Sequence, residues 1–201
     1  MSPSIEAYNS MAHGLGLNDW EEIEKVMPGV DFQCSLQQYY TLTVYATNII
    51  KDISNPEHYK FSQSHDDIMY VMRDVWKLQD TPYRLYNIDH HHDTGYNSGD
   101  TLNYEIVKKQ DPSCANWVIH LQDICPHMEQ YCWINNFNSV GIQDETIIDH
   151  LPNYMQSSDL SVLNYLNFDY VFLCSSPGWT PPKYMPLFQT LSFSLDRIIN
   201  K

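Results

Sequence analysis

Tyr83 to Tyr96 reads Y-R-L-Y-N-I-D-H-H-H-D-T-G-Y, an apolar run that passes straight into five consecutive ionisable side chains and then a glycine turn. Leu85, Tyr86 and Ile88, bounded by Pro82 and Gly95, predict a buried strand, because β-branched and aromatic residues over that length favour a sheet. Asp89 then stands at the strand's carboxyl end, where open α/β sheets bind ligands. Asp89, His91 and Asp93 alternate, so an extended backbone gives them one face and offers two hard oxygens and one imidazole nitrogen to a cation. Mixed ligation of that kind suits manganese, iron or zinc, and the carboxylate richness tilts it towards manganese. A solvated polar turn is the bland alternative; three histidines between two aspartates argue against it.

Outward from this stretch, Ser64-His65-Asp66-Asp67 opens a predicted helix. Ser64 and Asp67 are spaced as a capping box, and Ile68, Val71, Met72, Val75 and Leu78 mark one apolar face. His65 falls in its first turn, just before the chain returns through the Tyr83 strand. Tyr104–Val107 reads as a short edge strand and Ser113–Ile124 as a helix. Tyr131–Ile134 is a second buried strand, with Asn135 and Asn136 at its end. Helices are expected over Asp144–Leu151 and Asp159–Leu166. Asp169–Cys174 is a third strand, running into a proline-rich turn that opens a closing helix through Ile199. Earlier in the chain, 1–16 reads as an arm, Asn18 or Asp19 caps a short helix through Met27, and Leu36–Ile53 as a strand turning into a helix. Strands alternating with helices predict an α/β fold whose mostly parallel sheet is covered on both faces.

The 201 residues suit one domain, 1–201, since no linker or composition shift divides them. No apolar run of transmembrane length and no charged-then-apolar leader is present, so a soluble cytoplasmic protein without a membrane partner is expected. Five cysteines with no C-x-x-C pair fit reduced thiols. A formal net charge of −14 repels nucleic-acid phosphates and favours a cationic partner or plain solubility. Nothing in the sequence decides between a monomer and a homo-oligomer.

Three features together carry a family resemblance. D-H-H-H-D after a buried strand resembles the manganese-binding motif of the arginase and deacetylase fold. His65 precedes Asp89 at close to the separation at which arginases place another metal-binding histidine. The segment D-Y-V-F-L-C-S-S-P-G-W-T-P-P, together with Asn116-Trp117, is similar to the peptide arginases, which convert arginine to ornithine inside ribosomally made peptides. The resemblance covers roughly 62–184. It implies a three-layer sandwich and a manganese (Mn2+) site of one or two ions held by His65, Asp89, His91 and Asp93. The implied activity is a peptide arginase acting on an arginine-containing precursor peptide, with urea released.

Arginases carry a second aspartate pair on a later strand, where this chain has Cys174-Ser175-Ser176. Ser176, His90, His92 or Asp123 then substitutes, or a second metal is weak or lacking. A guanidinium carbon resists water at neutral pH, so the hydrolase must supply hydroxide, and an acid must protonate the leaving amine. His90, His92 and His120 are candidates for that proton transfer. Asn116, Trp117, Ser176 and Trp179 are expected around the substrate, Trp179 through a cation–π contact. Asn116 equally reads as a helix cap and Trp179 as a packing anchor.

Two other classes compete. Asp89-His90-His91 resembles the D-H-H phosphoesterases, yet their N-terminal H-x-x-x-D-x-D motif and glycine-rich phosphate loop are missing, and the acidic charge suits a polyanionic substrate poorly. A non-catalytic metal-stabilised binding module is the second. A Cys174 nucleophile is a minor reading with no assigned activating histidine.

Overall fold

A computed structural model describes residues 44–50, 53, 55–89, 91–95, 103–135, 145–177 and 185–191, apart from the side chains of 145 and 146. The elements in chain order are β1 (Tyr59–Ser62), α1 (Asp67–Tyr70), β2 (Tyr83–Ile88), α2 (Tyr104–Val107), α3 (Trp117–Ile124), β3 (Met128–Ile134), α4 (Glu145–Ile148), β4 (Met155–Ser157) and β5 (Val171–Cys174). Residues 44–50 and 185–191 are also helical. Every strand pair among the described residues is parallel, and helices lie between strands along the chain, so the fold class is α/β.

The chain divides into two compact units, Met1–Gln63 with Phe168–Lys201, and Ser64–Asn167. In the first, β1 and β5 pair in register from Tyr59 opposite Val171 to Ser62 opposite Cys174. Ser175 continues the ladder, donating its N–H to the Ser62 carbonyl at 3.0 Å. Ile50, Tyr59, Leu187 and Leu191 form the core there, packed by Ala46, Val171 and Leu173. Asn55 starts the 3-10 turn Pro56–His58 by accepting the Glu57 N–H at 3.0 Å, which satisfies a donor that the turn itself leaves unpaired.

In the second unit the sheet order is β2-β3-β4. The register sets Leu85 against Tyr131, Ile88 against Ile134 and Cys132 against Met155. Central β3 has Tyr131, Cys132, Trp133 and Ile134 buried in succession, as a strand covered on both faces must be. Parallel neighbours need a crossover: α2 and α3 lie between β2 and β3, α4 between β3 and β4. The buried stretch Trp117–Leu121 of α3 supplies much of this unit's apolar interior.

The strands expected around Leu85, Tyr131 and Phe172 are present, but the one around Leu85 is only partly buried, with Ile88 exposed. Other expectations need correction. Tyr104–Val107 is one helical turn rather than an edge strand, because the Asn103 side chain accepts the Ile106 N–H at 3.0 Å and so caps a helix. The Ser64 hydroxyl bonds the Asp66 carboxylate, and Asp66, the residue before the helix, makes no side-chain cap bond. Its apolar face is kept by Ile68, Met69, Val71 and Met72, but Val75 is exposed. From Val71 the helix widens into a π turn, seen in the Trp76 N–H reaching the Val71 carbonyl at 2.8 Å, and Lys77 closes it with φ 59°. Leu160–Tyr165 is a 3-10 helix, begun where Asp159 accepts the Ser161 N–H at 2.8 Å. β1 and β4, short strands without a long apolar run, have no counterpart in the sequence expectations. The expected structure of 1–16 and of the helix ending at Met27 lies outside the described residues, as does most of Leu36–Ile53.

Candidate metal centre

β2 ends at Ile88, and the backbone N–H of Asp89 still bonds the Ile134 carbonyl at 3.2 Å, which anchors Asp89 to the end of the sheet. The Trp133 indole N–H fixes the Asp89 carbonyl at 3.0 Å. Beyond this point the chain turns, and Asp93 takes φ 54°, a left-handed conformation that aspartate tolerates better than most residues. The turn brings the Asp93 carboxylate back towards Asp89. His65, in the turn that precedes α1, completes the group: its Nδ1 lies 3.2 Å from Asp89 Oδ2 and 3.3 Å from Asp93 Oδ2.

One donor atom from each of His65, Asp89 and Asp93 falls within 4.8 Å of the others. Asp93 is 2% exposed, whereas His65 and Asp89 keep about a fifth of their side chains in solvent. Two ionised carboxylates held this close, one of them buried, repel each other and are stabilised by positive charge between them. An imidazolium at His65 balances one of the two negative charges; a divalent cation balances both. One imidazole nitrogen and two carboxylate oxygens form a donor set that fits such an ion.

The Trp117 indole N–H donates to Asp93 Oδ2 at 2.9 Å and the Asn87 amide to the same oxygen at 3.3 Å. Asn87 also donates to the Tyr131 hydroxyl at 3.1 Å, and Tyr131 in turn to the His92 carbonyl at 2.6 Å. Burial foremost, and the Asp93 charge next, hold the Tyr131 hydroxyl well above its ordinary range. Burial, then Asp93, likewise pushes up the half-buried Cys114 thiol.

His91 is not in the converging set, since alternation puts Asp89, His91 and Asp93 on one face only in extended backbone. The turn at Asp93 removes that premise. The His91 N–H points at Asp89 Oδ1 from 3.5 Å and its carbonyl receives the Asn87 amide at 3.4 Å. His92 is buried, its Nδ1 accepting the Thr94 N–H at 3.1 Å with the Thr94 hydroxyl at 2.6 Å; a neutral ring there carries its proton on Nε2. His120 is buried on α3, and its Nε2 has no hydrogen-bond partner among the described residues. Asp123, a suggested substitute ligand, is exposed and paired with Lys108 at 2.8 Å.

Asn116 occupies the position before α3, yet its side chain makes no cap bond. It folds backward instead, accepting the Ser113 N–H at 2.7 Å and donating to the Asp111 carbonyl at 3.2 Å. It organises the loop before the helix. Trp117, expected beside substrate, is buried and holds Asp93. Ser176 belongs to the other compact unit, with φ 39° and its hydroxyl 3.1 Å from the Cys174 sulfur. His90 and Trp179 lie outside the described residues.

Asn87 and Tyr131 were not singled out by the sequence, although a polar residue two positions before Asp89 shares its face of the strand. That alternation was the signal available. No protein-family model, no curated protein and no solved structure matches the chain. Among the described residues, no helix is long and apolar enough to cross a membrane.

Proposed function

We propose that the chain is a metal-dependent peptide arginase, with His65, Asp89 and Asp93 holding a divalent ion, manganese by preference. The observation that carries this reading is the convergence of those three side chains at the carboxyl end of a parallel strand. The fold that this reading implies is a three-layer arginase-like sandwich. Held there, a divalent ion acts as a Lewis acid that makes water nucleophilic at neutral pH. Water adds to the guanidinium carbon, the bond from that carbon to the ornithine nitrogen breaks, and that nitrogen takes a proton as urea departs. His120, whose Nε2 is buried without a partner among the described residues, is the histidine this reading assigns to proton transfer.

The substrate follows from charge: a chain of net charge −14 concentrates a cationic peptide. An arginine-containing precursor peptide incubated with the manganese-loaded protein should lose the elements of cyanamide (CH2N2) in mass, with matching urea. Faster urea release from free arginine would remove the peptide preference. Absence of urea from both would remove the arginase reading.

A second reading is a metal-stabilised binding module. It is favoured by Cys174-Ser175-Ser176 standing where arginases carry a further carboxylate pair. Metal-dependent thermal stabilisation without turnover of either substrate would select it.

A further inference from the structure

Asp93 Oδ2 faces three nitrogens: His65 Nδ1 at 3.3 Å, Trp117 Nε1 at 2.9 Å and Asn87 Nδ2 at 3.3 Å. A carboxylate oxygen offers two lone-pair directions. A cation arriving on this oxygen therefore displaces one of the two hydrogen-bond donors, and the geometry distinguishes them.

We infer that Trp117 is the positioning residue that holds Asp93 for the cation, while Asn87 is the partner that lets go. This rests on the metal reading above. The indole has a single donor, and the ring around it is buried, so losing Asp93 leaves that N–H without an acceptor. Asn87 has two further acceptors within reach, the Tyr131 hydroxyl at 3.1 Å and the His91 carbonyl at 3.4 Å. Its amide moves to them at little cost.

Backbone bonds fix the indole independently of the carboxylate it serves. The Val118 N–H donates to the Asp93 carbonyl at 3.2 Å and the Gly95 N–H to the Ala115 carbonyl at 2.8 Å, which clamps the start of α3 to the turn. Asp93 enters that turn in a left-handed conformation, so its side chain needs an outside contact to select one rotamer facing His65. Trp117 supplies that contact across the crossover from a different element.

Manganese titration calorimetry on wild type, Trp117→Phe and Asn87→Leu tests the inference, with thermal melting of each protein with and without manganese. Trp117→Phe keeps the ring and removes the donor; it should weaken manganese by about 10- to 100-fold. It should lower the metal-free midpoint by the loss of one hydrogen bond to Asp93 and, in addition, shrink the manganese-induced rise in melting temperature, whereas a packing role would move the metal-free midpoint alone. Asn87→Leu should bind manganese close to wild type. Unchanged affinity in Trp117→Phe overturns the inference, and equal weakening by Asn87→Leu overturns the division of roles. Wild type binding manganese no better than His65→Ala overturns the metal reading itself, an outcome separate from either.

Discussion

His65 Nδ1 lies 3.3 Å from Oδ2 of Asp93, a carboxylate only 2% exposed. The imidazole comes from the turn before α1 and the carboxylate from the turn after β2, so folding alone brings them together. A buried carboxylate is kept only where charge or hydrogen bonds compensate it, and here the Trp117 indole and the Asn87 amide supply the hydrogen bonds.

Replacing His65 or Asp89 by alanine should lower manganese affinity by more than about 100-fold, since each removes a ligand rather than a supporting contact. Both side chains keep about a fifth of their surface in water, so the far-ultraviolet circular dichroism should stay as in wild type. Elemental analysis after gel filtration reads the result. Equal metal content in wild type and Asp89→Ala would sink the proposed site.

Asp93→Ala and Asp93→Asn should separate stability from metal binding. Alanine leaves the Trp117 N–H and the Asn87 amide without their shared acceptor and should cost about 1–3 kcal/mol in urea unfolding. Asparagine keeps an acceptor oxygen and should cost less, yet it loses the charge and with it the manganese. Equal metal binding by Asp93→Asn and wild type would contradict this division.

Alkaline stability carries a sign fixed by the buried phenols. Burial raises the hydroxyls of Tyr59, Tyr83 and Tyr131 well above their ordinary range and pushes Tyr154 up to about 12. With the folded pKa above the unfolded one, the unfolded chain gives up protons first. Stability is therefore intact below pH about 10 and declines as pH rises past it. Urea midpoints should fall steadily over that alkaline range, and less steeply in Tyr131→Phe. A flat profile above pH 10 would show that these phenols reach solvent in the native state.

Burial also pushes up the Cys125 and Cys132 thiols, and both side chains are nearly inaccessible. Half-buried Cys174 should react with an aromatic disulfide reagent in the native protein, while Cys125 and Cys132 wait for denaturant. Peptide mapping of the modified protein gives the order. Native labelling of Cys132 as fast as Cys174 would contradict the packing of β3.

The sequence by itself determined the parts of this protein that depend on neighbours along the chain. The run before Asp89 predicts β2, the apolar stretches at Tyr131 and Asp169 predict β3 and the strand ending at Cys174, and their alternation with helices predicts parallel pairing. Asp89 at a strand end and His65 at a helix entry were legible for the same reason: both follow from where an apolar pattern stops or starts. Only the tertiary structure decided which side chains meet. Asp93 reaches Asp89 because the backbone turns through φ 54°, and the same turn leaves His91 outside the converging donors. Trp117 became a support for Asp93, and Asn116 a clamp on its own loop rather than a helix cap. These outcomes rest on hydrogen bonds between segments far apart in the chain or on one dihedral angle, and hydrophobic periodicity contains neither.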